Sequence, residues 1–380
     1  MPRKAICAQT YPQAFPPPAI PPFSLVNIVR VALDVPLDER FDFRVPAGLE
    51  IAVGSLVVVP FGRARRIGVA VEITDHSEVP HARLRAVESV VADVGAFQPA
   101  EMELFEFCAA YYQRPLGEVI AASLPPRLRQ VSRRRIAPAA ATPGEAGFEA
   151  AIALTAAQRS AIELVTGGRE RFHPVLLHGV TGSGKTEVYL HLIADALARG
   201  RQALLLVPEI GLTPQFESHV ASRFPGTGLA SAHSHLGEGE RAAAWLAAQS
   251  GTARIILGTR LAVLMPFRDL GLVIVDEEHD PSYKQHEGLK YSARDVAVRR
   301  AQRLQVPVVL GSATPSLESY SNAREGRYAL ARLPERAADP MQAQPADRSI
   351  SSCRRRREFR QGCLRNPSDR RFQRHGSGCA

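Results

Sequence analysis

The pattern of hydrophobic and polar residues divides the chain into stretches of different periodicity. Between residues 26 and 95, short apolar runs alternate with polar positions and are separated by Pro and Gly, which predicts a β-rich domain. Residues 96–130 then place apolar residues at helical spacing. From residue 151 to residue 335, apolar runs of strand length alternate with helical segments, which is typical of a parallel α/β sheet with helices on both faces.

The remaining segments lack such a pattern. Residues 1–25 are Pro-rich without the apolar core of a signal peptide, so we expect a disordered leader or residues added by a start codon placed too early. Residues 131–150 are rich in Pro, Arg and Ala and predict a linker. Residues 336–380 are crowded with Arg and poor in apolar residues, which predicts a disordered tail. The abrupt change of composition there suggests a frameshift.

The charge balance favours a polyanionic partner. The chain has 47 Lys and Arg against 38 Asp and Glu, a net charge of +9, and nucleic acid is the usual partner of such a chain. Charge alone leaves an ordinary basic protein equally open. The five cysteines form no CxxC pair, so no disulfide framework or zinc site is indicated. No apolar run reaches the ~18–20 residues of a membrane span, so we expect a cytoplasmic protein without a membrane partner.

Residues 179–186, Gly-Val-Thr-Gly-Ser-Gly-Lys-Thr, are a complete phosphate-binding loop. The loop follows the apolar run 175–177 and precedes a helical segment, which is the context that this motif requires. Its backbone N–H groups wrap the phosphates, Lys185 reaches the β- and γ-phosphates, and Thr186 ligates magnesium. The predicted ATP and Mg²⁺ site consists of Gly179, Gly182, Ser183, Gly184, Lys185 and Thr186.

A second apolar run, residues 272–275, ends in the acidic sequence Asp-Glu-Glu-His. Asp276 at a strand end can hold Mg²⁺, and Glu277 can orient and deprotonate the attacking water. Acids after a strand usually belong to a solvated loop. Beside a phosphate-binding loop they indicate nucleotide hydrolysis, so we expect Lys185, Asp276 and Glu277 to be catalytic.

That acidic sequence resembles the DExH box of superfamily 2 helicases, and further short motifs follow in the order of that family. The resemblance implies that His279 joins the catalytic residues and that Gln158 contacts the adenine base. It also implies that Arg260, in a Gly-Thr-Arg sequence, contacts the DNA backbone. Ser312 and Thr314, in a Ser-Ala-Thr sequence, would couple hydrolysis to DNA movement, although such a triplet alone is usually a helix cap.

Two longer stretches, residues 207–215 and 276–295, are similar to the PriA family of replication-restart DNA helicases. The resemblance implies that the loop after the DExH box touches single-stranded DNA. Tyrosine rings there would stack on bases, at ~1–3 kcal/mol per base, and cations would contact phosphates. A solvated surface loop is the alternative. The predicted DNA contacts of this loop are Tyr283, Lys284, Lys290, Tyr291 and Arg294.

The stretch from residue 35 to residue 46 resembles the amino-terminal domain of the same family, which captures the 3′ end of a nascent strand at a fork. By this resemblance Phe41 and Asp42 lie against the terminal base and its 3′-hydroxyl, and Gly62 and Arg85 line the pocket. Asp42 can accept a hydrogen bond from the hydroxyl, and Gly62 permits close backbone approach. The alternative is that Phe41 fills a small β core.

The resemblance covers roughly residues 26–335 and implies a RecA-like P-loop helicase lobe at 151–335. A small, mostly β DNA-end-binding domain precedes the lobe, with a helical remnant of a winged helix at 96–130. The zinc-binding cysteine pairs and the second motor lobe of the family have no counterpart. Because arginines from a partner lobe are worth roughly 10³–10⁵ in rate in related enzymes, we expect this chain to hydrolyse ATP poorly and not to unwind DNA.

The function implied is that of an ATP-dependent 3′-to-5′ DNA helicase of replication restart, acting on forked and single-stranded DNA. Primosome proteins and the single-stranded-DNA-binding protein are further partners by resemblance. Two alternatives stay open. DNA-stimulated ATP hydrolysis would exclude a fork-binding fragment without motor activity, and a preference for forks with a free 3′ end would exclude another superfamily 2 translocase.

Overall fold

The computed structural model describes residues 28–131, 147–150 and 152–336. The predicted leader, the predicted tail beyond residue 336 and most of the predicted linker lie outside these ranges. The described part contains an antiparallel sheet, a helical layer and a parallel sheet, in chain order. None of its helices combines the length and the apolar character needed to cross a bilayer.

The first sheet is antiparallel, as the alternating pattern predicts. Its strands are β1 (Ile28–Leu33), β2 (Phe41–Arg44), β3 (Leu56–Phe61), β4 (Ala64–Thr74) and β5 (Ser89–Val90). The strands lie in the order β2-β1-β4-β3-β5. Successive residues of a strand point to opposite faces, so Val29 and Val31 enter a small core with Phe43, whereas Ala32 joins the large core that the helices share.

Two helices, α1 (Pro99–Tyr112) and α2 (Leu116–Ser123), follow the first sheet. The second of these packs closely on β1. A Cβ atom at Gly117 would lie only 1.7 Å from the Leu33 carbonyl oxygen, so this contact requires glycine. A 3₁₀ turn after α2 buries Leu128 completely.

These two helices occupy the stretch predicted to be a winged-helix remnant, residues 96–130. Their apolar residues belong to one continuous core with both sheets. Trp245 shows the connection: it is fully buried, its Nε1 donates to the Ser123 carbonyl at 2.8 Å, and its ring meets Phe97 edge-on at 5.7 Å. The helical layer is therefore the packing interface between the β domain and the lobe.

The second sheet is parallel throughout, in the order β12-β6-β11-β10-β7-β9-β8. Its strands are β6 (His173–Gly179), β7 (Gln202–Leu206), β8 (Leu229–Ala232), β9 (Ile255–Gly258), β10 (Leu270–Val275), β11 (Pro307–Ser312) and β12 (Ala329–Leu333). Every residue of β7, β10 and β11 is buried, as expected of central parallel strands covered on both faces. The predicted α/β lobe is confirmed.

Six helices accompany this sheet. They are α3 (Ala156–Thr166), α4 (Lys185–Ala198), α5 (Pro214–Arg223), α6 (Glu238–Ser250), α7 (Ala293–Leu304) and α8 (Leu317–Arg324). Several begin with a side-chain cap: the Thr155, Thr213, Ser292 and Ser316 hydroxyls accept backbone N–H groups of α3, α5, α7 and α8.

Residues 147–150 belong to the surface of the lobe, although they fall in the predicted linker. Phe148 stacks on Phe224 with ring centroids 5.1 Å apart and lies 5.1 Å from the Arg223 guanidinium carbon. An aromatic ring buries apolar area by such contacts, which is why this end of the segment is anchored.

Candidate nucleotide site and DNA-facing loops

The phosphate-binding loop joins β6 to α4 and depends on its glycines. Gly182 and Gly184 adopt left-handed backbone, with φ of 79° and 77°, a conformation that other residues rarely take. A Cβ at Gly179 would lie 2.5 Å from the Ser183 hydroxyl. The chain then enters α4 at Lys185, so the N-terminal end of this helix opens directly onto the loop.

Lys185 connects the phosphate-binding loop to the DExH box. Its Nζ lies 3.3 Å from the Gly179 carbonyl and 3.2 Å from Glu277 Oε1, and the residue is buried. Glu277 itself adopts a φ of 43°, which is uncommon for a residue other than glycine. Strained residues of this kind concentrate at functional sites. The structure thus brings together the residues predicted to bind phosphate and to activate water.

Asp276 ends β10 beside this pair and is held by two tyrosines. Tyr189 of α4 donates its hydroxyl to Asp276 Oδ1 at 2.8 Å, and the Tyr283 hydroxyl donates to the Asp276 carbonyl at 2.6 Å. Burial raises the pKa of the Asp276 carboxyl, and the Tyr189 hydrogen bond opposes that rise. A Cβ at Gly311 would lie 1.7 Å from the Tyr189 hydroxyl, so glycine in β11 is what admits this side chain.

His279 reaches the Ser-Ala-Thr sequence that ends β11. Its Nδ1 lies 2.8 Å from the Ser312 hydroxyl and its Nε2 lies 3.3 Å from the Thr314 hydroxyl. The Ser312 hydroxyl also accepts the Thr314 backbone N–H at 3.0 Å. The DExH box and the end of β11 are therefore joined by direct hydrogen bonds.

Glu278 is a functional candidate that the sequence analysis missed. Its buried carboxylate accepts from the Ser316 backbone N–H at 2.7 Å, the Ser319 hydroxyl at 2.9 Å and Arg294 at 3.2 Å. Arg294 also pairs with Asp295 at 2.9 Å. Arg294 therefore joins the DExH box to the start of α8, and its contact with DNA stays a prediction.

Gln158 is engaged inside the protein instead of facing a base. Its Nε2 donates to the Ser183 carbonyl at 3.0 Å, its Oε1 accepts the Thr155 backbone N–H at 2.9 Å, and the residue is buried. Both ends of the amide are thus occupied in this conformation. Gln158 thus ties the start of α3 to the phosphate-binding loop, and its contact with the adenine base stays a prediction.

Arg260 also bonds within the lobe. It lies 3.2 Å from Glu209 Oε1, donates to the Ser282 carbonyl at 3.2 Å and donates to the Gln285 side chain at 2.5 Å. Its charge is therefore paired in this structure, and its contact with the DNA backbone stays a prediction. The arginine joins the stretch 207–215 to the loop after the DExH box.

The loop after the DExH box presents cations and buries its aromatic rings. Tyr283 and Tyr291 are only 2% and 4% exposed, so neither ring offers a face to a base in this conformation. The stacking of these two rings on bases stays a prediction. Lys284 and Lys290 are exposed, and their contact with phosphate oxygens stays a prediction.

In the β domain, three of the four residues predicted to bind a DNA end lie in one neighbourhood. The Phe41 ring meets Phe61 edge-on at 5.1 Å, and Phe61 directly precedes Gly62. Arg85 Nη1 donates to the Gly62 carbonyl at 2.8 Å. Phe41 also packs against the small core, as the alternative explanation for this residue held.

Asp42 lies on the other face of β2, because neighbouring residues of a strand point to opposite sides. It accepts the Ser77 hydroxyl at 2.5 Å and pairs with Arg30 at 3.4 Å, which in turn bonds Glu72 at 2.9 Å. Phe41 and Asp42 thus contact different groups in this structure, and their joint contact with a DNA end stays a prediction.

A zinc site has no visible basis in the described ranges. Across residues 28–131, 147–150 and 152–336, no three His, Cys, Asp or Glu side chains come together as a metal site. Cys108, in α1, is buried, and burial raises the pKa of its thiol to about 12.

Comparisons with known proteins match two parts of the chain. A family model for the "3′DNA-binding domain" of PriA matches residues 30–125, and a model for "DEAD/DEAH box helicase" matches residues 155–323. The first range includes α1 and α2.

Replication restart protein PriA of Haemophilus influenzae is 33% identical over 83% of this chain and 53% of its own length. The protein of the same name from Chlamydia pneumoniae is 48% identical over 53% of this chain and 27% of its own length. The chain thus spans about half the length of the first of these relatives. RecG bound to a three-way DNA junction matches at 20% identity with a TM-score of 0.37, over 62% of this chain and 30% of RecG; a score this low adds nothing to the assignment.

Proposed function

Because the chain belongs to the PriA family, we propose that it acts in replication restart as part of an ATP-dependent 3′-to-5′ DNA helicase. The observation that supports this most directly is the position of Lys185, 3.2 Å from Glu277 and bonded to the phosphate-binding loop. Forked and single-stranded DNA are the proposed substrates, and the cytoplasm is the proposed location. Primosome proteins and the single-stranded-DNA-binding protein belong to the same proposal as partners.

The residues at the site fit ATP with Mg²⁺. The Thr186 hydroxyl, in the first turn of α4, and the Asp276 carboxylate, at the end of β10, are the oxygen ligands that Mg²⁺ prefers. When bound, Mg²⁺ would neutralise charge on the phosphate oxygens. Lys185 would exchange its contact with Glu277 for the nucleotide phosphates, which would free the Glu277 carboxylate to accept a proton from water.

Hydrolysis would reach DNA through contacts that the fold already makes. His279 contacts both hydroxyls of the Ser-Ala-Thr sequence, so a change at the nucleotide alters the end of β11. Tyr283 bonds the Asp276 carbonyl and lies one residue before the exposed Lys284. We assign Lys284 and Lys290 to phosphate contacts, and Phe41, Gly62 and Arg85 to the DNA end.

The test measures binding of a fluorescent ATP analogue to the 380-residue chain, and ATP turnover with and without forked DNA that has a free 3′ end. Lys185→Ala should lose nucleotide binding, because it removes the cation that faces the phosphates. Glu277→Gln should retain binding and lose any DNA-stimulated turnover. The site assignment is wrong if Lys185→Ala binds the analogue as tightly as the wild type. Fork binding without any nucleotide binding would favour the fork-binding fragment.

A further inference from the structure

A groove between the β3–β4 hairpin and α2 has a strongly basic lining that the proposed sites do not use. It encloses about 280 Å³, and its charged lining consists of Arg65, Arg66 and Arg129 against the single acid Asp34. Arg63, at the exposed hairpin turn, makes no ion pair or side-chain hydrogen bond with any described residue. The groove therefore has a clear excess of positive charge.

Two arginines of this groove make only weak ion pairs, so they can exchange a carboxylate for a phosphate. Arg129 pairs with Asp34 at 3.8 Å, and Arg65 pairs with Glu88 at 3.7 Å, in both cases between exposed side chains. Exposed ion pairs at such distances are weak, so a phosphate oxygen can replace the carboxylate. Arg66 is held more firmly, since it donates to the Asp34 carbonyl at 3.2 Å and lies 5.7 Å from the centre of the Phe61 ring.

The groove also lies between the two regions assigned to DNA. At one end, the hairpin turn begins with Gly62, whose carbonyl accepts Arg85 in the end-binding neighbourhood. At the other end, Arg129 borders a second cavity whose wall includes Gln285 and Leu289 of the loop after the DExH box. A DNA strand that runs from the end-binding neighbourhood to the motor lobe would follow this groove.

We propose that the basic groove lined by Arg65, Arg66 and Arg129, together with Arg63 at the adjoining hairpin turn, binds the sugar–phosphate backbone of DNA next to its 3′ end. The ligand class follows from the chemistry, because the guanidinium group is suited to phosphate oxygens and three of the four charged side chains that line the groove are arginines. This inference rests on the proposed function, which supplies DNA as the partner. If the inference holds, the groove arginines contribute affinity for the DNA backbone, and other residues of the β domain recognise the 3′ end.

The test uses the full chain with Arg63→Gln, Arg65→Gln and Arg129→Gln combined, named the groove variant. Arg66 is kept because its contact with Phe61 supports the hairpin. Fluorescence anisotropy would measure the affinity for a primed template with a recessed 3′-hydroxyl, between 50 and 200 mM salt. A second template with a 3′-phosphate would measure end recognition in the same proteins.

The expected result is a weaker salt dependence. Each phosphate contact contributes roughly 0.7–0.9 to the slope of log affinity against log salt, so three lost contacts should lower the slope by about 2–3. Across a fourfold rise in salt, the affinity of the wild type should then fall roughly 20–40-fold further than that of the groove variant. The ratio of affinities for the hydroxyl and phosphate ends should not change.

The matched control removes three exposed arginines near β6 and β12, at the opposite edge of the parallel sheet: Arg171→Gln, Arg324→Gln and Arg327→Gln. An equal change of slope in this control, or an unchanged slope in the groove variant, would overturn the inference. If the wild type binds the two 3′ ends equally well, that result counts against end recognition in the proposed function. The salt dependence of the groove variant would still test the groove by itself. The tryptophan fluorescence of each variant would show that it remains folded.

Discussion

Glu101 of α1 and Arg300 of α7 form a buried ion pair between the helical layer and the lobe. Their charged atoms lie 3.6 Å apart, and the two residues are 4% and 3% exposed. Burial raises the pKa of Glu101 and lowers the pKa of Arg300 to about 10. The pair therefore survives because each charge compensates for the desolvation of the other.

Removal of one partner should be costly, because both charged side chains are also bonded to backbone groups. Glu101 accepts the Phe267 backbone N–H at 3.2 Å and that of Gln98 at 2.6 Å. Arg300 donates to the carbonyls of residues 263 and 265 at 2.7 and 2.6 Å and lies 4.6 Å from the Phe267 ring centre.

The perturbation is Glu101→Gln, which keeps the shape of the side chain and removes its charge. Arg300 is then a buried cation without an anion, and breaking a buried pair in this way costs about 3–5 kcal/mol. That is a large part of the ~5–15 kcal/mol that stabilises a typical domain. The double variant with Arg300→Met should cost less than the sum of the two single variants, by about 0.5–3 kcal/mol.

Urea unfolding followed by tryptophan fluorescence is the assay, because the chain has a single tryptophan and Trp245 lies at this same interface. The control is the exposed pair of Glu103 with Arg303, at 3.4 Å on the same two helices. Removal of one of its charges should cost at most ~1 kcal/mol. A Glu101→Gln variant no less stable than this control, or strictly additive single variants, would refute the reasoning.

Two further side chains give predictions of different kinds. Tyr189→Phe removes the donor to the Asp276 carboxylate, so the Mg²⁺ concentration needed for binding of the ATP analogue should rise about 10–100-fold; an unchanged Mg²⁺ titration would contradict this. Hydrogen bonds from Arg223 lower the pKa of Glu187. The stabilising effect of its charge is thus complete above the unfolded pKa near 4.5 and lost as the pH falls through the lowered value. The difference in urea midpoint between wild type and Glu187→Gln should shrink on acidification, and a constant difference would exclude this origin.

The lobe and the phosphate-binding loop could be predicted because residues close together in the sequence determine both. Strand-length apolar runs alternate with helical segments, and the loop from residue 179 to residue 186 contains its glycines, lysine and threonine in one continuous stretch. Glycine at 182 and 184 permits the left-handed backbone that the loop adopts there. The position of the Asp-Glu-Glu-His sequence could be predicted in the same way, because it directly follows an apolar strand and so lies at the end of that strand.

The orientation of individual side chains could not be predicted in the same way. A tyrosine in a loop is compatible both with stacking on a base and with packing in a core, and the sequence around Tyr283 and Tyr291 does not distinguish the two. In the sequence, Arg260 and Arg294 look like residues that contact phosphate, because the acidic residues that pair with them in the fold are not their neighbours along the chain. These partners, Glu209 and Glu278, lie 51 and 16 residues away along the chain.

The sequence by itself determined the order of the domains, the nature of each sheet and the position of the nucleotide site, because periodicity and short motifs act through neighbouring residues. Tertiary structure alone decided that α1 and α2 join the two sheets in one core, that Tyr189 holds Asp276 from another element, and that Asp42 faces away from Phe41. The physical reason is that burial and pairing depend on which distant segments meet. An exposed lysine and a buried tyrosine in one loop acquire different roles only when the rest of the fold covers one of them.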